Sequence, residues 1–294
     1  MPMNFRDSDC LHRFVFENTD VRGELVHLDA SWRAVLARRD YPPAVRNLLG
    51  EALAAATLLA ATLKIDGSLQ LQLQGDGPLK LLLVEVTAQR TLRGLARWTG
   101  RVPDGSLKAQ LGTAQLSLTV DPGRGGERYQ GVVAVEARDL TATLEDYFER
   151  SEQLATRLWL VADEQRASGM LLQQLPGKGG DDEDWIRDVC LGETVSGREL
   201  LQLTVRELLH RLYHEEDVRL FESEPVSFRC SCSRGRTETM LRALGHDEVM
   251  GILEERSEVS VNCEFCGHSY RFDSVDVEHL FRATEQPEVP QTRH

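Results

Sequence analysis

Apolar and polar positions along the chain predict strands and helices in separate runs. Ser68 to Gln74 alternates strictly between leucine and polar residues, the signature of a half-buried strand. Gly75-Asp-Gly-Pro78 is a turn, and Leu79 to Val86 is a second strand. Ala114 to Asp121 and Tyr129 to Glu136 flank Pro122-Gly-Arg-Gly-Gly126 and read as a hairpin. Thr156 to Ala162 and Met170 to Leu175 add further strands. Tyr41-Pro42-Pro43 opens a helix at Pro43 that runs through alanine-rich sequence to about Lys64. Its apolar residues go nearly all round, which predicts burial against a sheet. Leu140 to Gln153 reads as a helix with Leu144, Tyr147 and Phe148 on one face. Because strands cluster instead of alternating with helices, the expected front part is an α+β core with mixed sheets and packed helices.

The rear of the chain reads differently. Asp181 to Cys190 is a short helix with acidic residues at its electropositive start. Thr204-Val-Arg-Glu207 is a capping box opening a helix through about His214, with Leu208, Leu209 and Leu212 apolar. Such helices are too short to be stable alone. They need an apolar surface, and the core is the candidate. Farther on, Thr237 to Leu244 and Asp247 to Glu255 read as helices, and Glu258 to Asn262 and Ser269 to Asp273 as short strands.

Charge sharpens these boundaries. Residues 1–180 carry 21 basic and 22 acidic side chains, net −1. Residues 181–229 carry 6 and 13, net −7, and residues 230–294 carry 7 and 12, net −5. The first break falls at Pro176-Gly-Lys-Gly-Gly180 and the second at Cys230. The expected organisation is a core domain over 1–180, an acidic helical connector over 181–229 and a small C-terminal zinc-binding domain over 230–294. The total of −13 argues against nucleic acid or an anionic membrane as a partner. No window holds about 18 consecutive apolar residues, and the N-terminus has no apolar signal region. A cytoplasmic location is therefore expected, where thiols are kept reduced.

That setting decides how the six cysteines are read. Cys230-Ser-Cys232 and Cys263-Glu-Phe-Cys266 are two close pairs 30 residues apart. Four soft thiolates at such spacing close a tetrahedron around Zn²⁺. Gly267 fits a knuckle that turns backbone N–H groups toward sulfur. His268 could replace one thiolate, though four cysteines already complete the set. A four-cysteine site is normally closed, hence structural and not hydrolytic. Yet four thiolates on one Zn²⁺ leave a net charge of −2, and each sulfur is open to an oxidant. Each pair can also close locally, Cys230 with Cys232 and Cys263 with Cys266, which would destroy a metal site. A domain of about 60 residues buries little, whereas structural zinc contributes on the order of 10–16 kcal/mol to small zinc peptides. Oxidation would therefore unfold residues 230 onward, loosen the connector and uncover whatever apolar surface it covers.

The remaining residues add no chemistry. Cys190, in an amphipathic helix, reads as a small buried hydrophobe, and Cys10 as incidental. Trp32, Trp98, Trp159 and Trp185 read as core residues. Gly123 to Gly126 sits in a hairpin turn and not before a helix, so a phosphate loop is not indicated. The histidines are scattered and nothing resembles a nucleophile elbow, so an enzymatic reading has no support. The main alternative is a constitutive protein-binding adaptor with a purely structural zinc ribbon.

The chain also resembles the thirty-three-kilodalton heat-shock protein family over essentially its whole length. The residues that carry the resemblance are Phe16-Glu-Asn-Thr-Asp-Val-Arg-Gly-Glu-Leu-Val26 with Trp32, Ser168-Gly-Met-Leu-Leu-Gln173 with Pro176-Gly177, both cysteine pairs, and Tyr270-Arg-Phe-Asp273. The resemblance implies a redox-regulated, ATP-independent holdase. When reduced it holds one zinc on Cys230, Cys232, Cys263 and Cys266 and is inactive. Oxidation forms the two local disulfides, releases zinc, unfolds the C-terminal domain and connector, and yields a homodimer that binds unfolding client proteins. On reduction, clients pass to an ATP-dependent chaperone system.

Overall fold

Pro43 starts a 20-residue helix whose surroundings organise most of the chain. The computed structural model describes residues 8–63, 66–123, 125–176 and 182–282. Lys64, the stretch from Gly177 to Gly180 and Asp181, on which helix-end, linker and acidic-run expectations fell, lie outside the described residues. The chain divides into two compact units, Met1–Arg229 and Cys230–His294.

The first unit opens with β1 (Cys10–Phe16), β2 (Val21–Leu28), α1 (Ala30–Leu36) and α2 (Pro43–Thr62). Then come β3 (Ser68–Gly75), β4 (Leu79–Thr87), β5 (Thr91–Trp98), α3 (Leu107–Leu111), β6 (Ala114–Asp121) and β7 (Tyr129–Ala134). It continues with α4 (Leu140–Tyr147), β8 (Thr156–Ala162), β9 (Ala167–Gln174), α5 (Asp182–Gly192), α6 (Gly197–Gln202) and α7 (Val205–Tyr213). Three short strands close it: β10 (Val218–Leu220), β11 (Glu224–Pro225) and β12 (Ser227–Phe228).

One sheet runs β10-β1-β2-β9-β8, with β11 also on β1; the other runs β12-β5-β4-β3-β6-β7. Neighbours are antiparallel except for β12 beside β5, so the second sheet is mixed. Helix α2 packs on β2, β8 and β9 of the first sheet and on β3, β4 and β5 of the second. It is therefore buried all round, as its sequence predicts. Fifteen of its residues are buried, from Ala44 to Ala61. By length and composition α2 could cross a membrane, yet 83 % of its apolar window is buried inside this core. Gly50 permits the closest approach: a Cβ there would collide with that of Ala162 on β8.

Several elements depart from the sequence expectation. The helix expected over Leu140–Gln153 is α4 followed by a π-helical turn, Phe148–Glu152, which ends at Gln153 in the left-handed region. The strand expected from Met170 begins at Ala167. Strands β1, β2 and β5 and helix α1 had no periodic signature. In β2 and β9 nearly every residue is buried, so inward and outward positions do not alternate. Trp32 on α1 is fully buried, and Trp98, Trp159 and Trp185 are partly buried against the cores.

The helices after β9 cover the face of the first sheet opposite α2. Leu200, Val205, Leu208, Leu209, Leu212 and Tyr213 form one buried cluster with Phe14, Phe16, Val21, Leu25, Met170 and Leu172. Capping boxes at Ser196/Glu199 and Thr204/Glu207 start α6 and α7. Only the second was read from sequence. The end of α6 is held by polar groups of the core. Arg166 donates to the Leu201 carbonyl at 2.6 Å and forks onto the Asp29 carboxylate at 2.6 and 2.9 Å. His27 Nε2 lies 3.0 Å from the Leu200 carbonyl. The segment is not helical throughout: β10 and β11 pair with β1, and β12 with β5, so it ends woven into both sheets. Cys190 is exposed, not buried. Helix α5 turns Asp188 and Val189 inward, which leaves Cys190 facing solvent.

Glu24 on β2 is buried, with Oε2 lacking a hydrogen-bond partner. Burial pushes its carboxyl up to about 8 despite Arg22 and Arg13. The folded chain thus keeps a proton that the unfolded chain releases. The resulting stability is complete below the ordinary carboxylate value and is lost as pH rises through about 8. Glu24→Gln cannot ionise, so its stability relative to the parent should grow as pH rises from about 5 to about 8.5, reaching on the order of 2–4 kcal/mol. Paired denaturant midpoints across that range check this, and a difference independent of pH would refute it.

Candidate metal centre

The second unit begins, in sequence, directly after Arg229, whose backbone N–H donates to the Leu92 carbonyl in the first unit at 3.0 Å. It contains α8 (Arg234–Leu244), α9 (His246–Arg256), β13 (Val259–Asn262), β14 (Ser269–Phe272) and α10 (Ser274–Arg282). Its apolar core is thin: Leu241, Val249, Leu253, Val259, Phe272, Val277 and Leu280. So few buried side chains offset little of the conformational entropy of ordering the unit. A further interaction would strengthen it.

The cysteines supply one. Cys230 and Cys232 precede α8, whose start is fixed by Ser233 accepting from the Arg236 N–H at 3.2 Å. Arg234 ties this end to the rest of the unit. It donates to the Arg271 carbonyl at 2.9 Å, pairs with Asp276 at 2.8 Å and lies over the Phe272 ring at 4.3 Å. Cys263 and Cys266 sit in the turn between β13 and β14. There Cys263 N–H donates to the His268 carbonyl at 2.9 Å and Gly267 N–H to the Cys263 carbonyl at 2.7 Å. Gly267 has φ +72°, a left-handed conformation that glycine adopts without strain.

All four sulfurs lie within 4.8 Å of one another and could hold a metal ion. Cys230 and Cys263 sulfurs are 3.5 Å apart, and those of Cys232 and Cys266 are 3.4 Å apart. A zinc–sulfur bond of about 2.3 Å gives a tetrahedral edge of about 3.8 Å. The donor set thus fits Zn²⁺ in both type and size. His268 is not one of this group. Its ring packs against Tyr270 at 4.5 Å. Tyr270 donates its hydroxyl proton to the Cys232 sulfur at 3.2 Å.

The thiols are unequal. Burial opposes ionisation of Cys230, but hydrogen bonds from the Cys232 backbone and the neighbouring thiols bring it down to about 7. Burial pushes Cys263 up, and Cys266 up to about 12. A bound cation would displace the protons that remain on these thiols. The roles of Tyr270 and Arg234 were not read from the sequence. The signals for Tyr270 were its position on a strand leaving the Cys-x-x-Cys knuckle and its place in the Tyr270-Arg-Phe-Asp273 string that carries the family resemblance.

An α+β unit with helices docked on one sheet, followed by a small four-thiol unit, defines the class of protein. The Hsp33 protein family model matches residues 9–273. The chain is 55 % identical over 292 residues to the 33 kDa chaperonin of Nitrosococcus oceani, spanning 99 % of this chain and 100 % of that relative. It is 47 % identical over 277 residues to the 33 kDa chaperonin of Methylobacillus flagellatus, spanning 93 % and 94 %. Its fold is similar to the crystal structure of the 33 kDa chaperonin from Thermotoga maritima, with a TM-score of 0.82 at 20 % identity over 94 % of this chain and 99 % of that one. The chain belongs to the Hsp33 family.

Removal of metal by a strong chelator under reducing conditions should unfold the second unit and leave the core around α2 intact. Amide hydrogen exchange resolved by peptide checks this: protection should vanish over α8 to α10 and persist in α2. Equal protection in the second unit with and without metal would show that its apolar core suffices.

Proposed function

We propose that this chain is a redox-regulated, ATP-independent holdase chaperone of the cytoplasm, inactive when reduced and zinc-bound. Residues 1–180 form the client-binding and dimerisation core, 181–229 the connector, and 230–294 the redox-switch domain. The observation that carries the reading is the apolar face of the first sheet, buried beneath helices α6 and α7. Those helices belong to a segment whose last residue, Arg229, is followed at once by Cys230.

Cys230, Cys232, Cys263 and Cys266 would hold Zn²⁺, which, when bound, supplies the folding energy that the thin core lacks. A thiolate attacks peroxide: an S–O bond forms, the O–O bond breaks and hydroxide leaves. The neighbouring thiolate then attacks that sulfur, closing an S–S bond and expelling a second hydroxide. Each pair, Cys230–Cys232 and Cys263–Cys266, gives up two electrons to one peroxide. With its sulfurs consumed the unit has no ligand set and unfolds. The connector loses its ordered C-terminal neighbour, and α6 and α7 leave the sheet. Phe14, Phe16, Leu25, Met170 and Leu172 then face solvent and take up apolar segments of unfolding clients. Dimerisation of the oxidised form and transfer of clients to an ATP-dependent system complete the cycle. The names of the 33 kDa chaperonin relatives support the chaperone assignment.

Two measurements test this. Reduced, zinc-loaded protein is treated with peroxide at heat-shock temperature and offered a thermally unfolding client. Zinc should leave, four thiols should disappear, and client light scattering should be suppressed only after oxidation. Retained zinc, or equal suppression before oxidation, would instead support a constitutive adaptor with a structural zinc ribbon. Separately, Leu208→Ala removes a fully buried contact between α7 and the sheet. It should cost about 2–5 kcal/mol of docking and give the reduced protein measurable binding of an apolar dye; unchanged dye binding would mean that this face is not the one uncovered.

A further inference from the structure

We propose that Tyr270 is a positioning residue that restrains oxidation of the thiol centre through the hydrogen bond its hydroxyl gives to the Cys232 sulfur. The proposal rests on the reading of the four cysteines as metal-binding, peroxide-reactive thiols. It adds a fifth side chain that controls how readily they react.

The contact is built, not incidental. Tyr270 lies on β14, paired with Val261 on β13, so its backbone is fixed next to the knuckle that carries Cys263 and Cys266. Its ring is half-buried, packed against the apolar core of the unit and against the His268 ring at 4.5 Å. Strand pairing and the core contact aim the hydroxyl across the unit, from the Cys-x-x-Cys strand to the Cys-x-Cys pair. It reaches the Cys232 sulfur at 3.2 Å, while that sulfur lies 3.4 Å from Cys266.

Chemistry gives the contact its sign. Four thiolates around one Zn²⁺ carry a net charge of −2, so sulfur electron density is high and an O–H donor is stabilising. The same donor draws on the lone pair that must attack. Oxidation requires a sulfur lone pair to form an S–O bond to peroxide as the O–O bond breaks and hydroxide leaves. The second thiolate then forms the S–S bond as the S–O bond breaks and hydroxide leaves again. Cys232 must use its lone pair as attacking thiolate in one of these steps whenever it is oxidised. A hydrogen bond to that lone pair slows the step. Tyr270 therefore holds the reduced state against low peroxide, while Arg234, anchored on Arg271 and Asp276, keeps the Cys-x-Cys end in place.

Tyr270→Phe in the full chain removes the donor and keeps the ring; His268→Ala removes the ring neighbour and keeps the donor. In the Co²⁺-substituted protein, Tyr270→Phe should move the thiolate-to-metal charge-transfer band to lower energy with the tetrahedral d–d bands retained. Zinc affinity, by chelator competition, should fall about 10-fold. Thiol loss under peroxide, counted by alkylation and mass, should run about 3- to 10-fold faster, the size of one hydrogen bond. His268→Ala should leave the band in place. An unchanged band and rate in Tyr270→Phe, beside a parent protein that binds metal and loses it to peroxide, would overturn the role of Tyr270 alone. Slower oxidation would also overturn it, by making the hydroxyl a proton donor to the leaving hydroxide. A parent protein that keeps its metal through peroxide would overturn the redox reading itself.

Discussion

A sheet that must be covered on both faces is the constraint from which the rest of the first unit follows. Strands β2 and β9 bury nearly every side chain, so their sheet cannot present either face to water without exposing large apolar groups. Helix α2 covers one face and is itself sealed by the second sheet. The other face carries Phe14, Phe16, Leu25, Met170 and Leu172 and is covered by α6 and α7. These helices have six and nine residues and hold their shape only because they lie on that face. Cover and covered surface stabilise each other, and an apolar surface sits under a lid of low intrinsic stability.

The lid is not held by apolar contact alone. Apolar burial is non-directional and would tolerate a slid or rotated helix. Arg166, locked by two hydrogen bonds to buried Asp29, places a guanidinium on the Leu201 carbonyl near the end of α6, and His27 lies on the Leu200 carbonyl before it. A guanidinium at a helix C-terminus meets unsatisfied carbonyls and the negative end of the helix dipole. One register is selected, and the end of the segment is pinned by β10, β11 and β12.

The second unit solves the opposite problem. Its core is small, and four sulfurs, two from its start and two from the β13–β14 turn, come within 4.8 Å of one another. Without a cation those sulfurs are poor neighbours: burial raises Cys263 and Cys266, while hydrogen bonding lowers Cys230. A divalent cation bound there would turn that crowding into the main attraction of the unit. A stable frame and a conditional module thus follow from the same accounting of buried area.

The sequence by itself determined the elements whose patterns are local. Helix α2 announced itself by Pro43 and an all-round apolar surface, β3 by strict alternation, α7 by its capping box, and the thiol centre by two close cysteine pairs. Each signal lies within a few residues, where 3.6- and 2-residue periods or ligand spacing act. Only the tertiary structure decided what depends on distant partners. Strand β2 was hidden because burial on both faces erases alternation. Strands β11 and β12 have two residues each and exist only because β1 and β5 offer open edges. Cys190 faces solvent because Asp188 and Val189 take the inward side of α5. Tyr270 meets Cys232 across 38 residues. Such contacts are set by which surfaces meet when apolar area is removed from water, and that is a property of the whole chain.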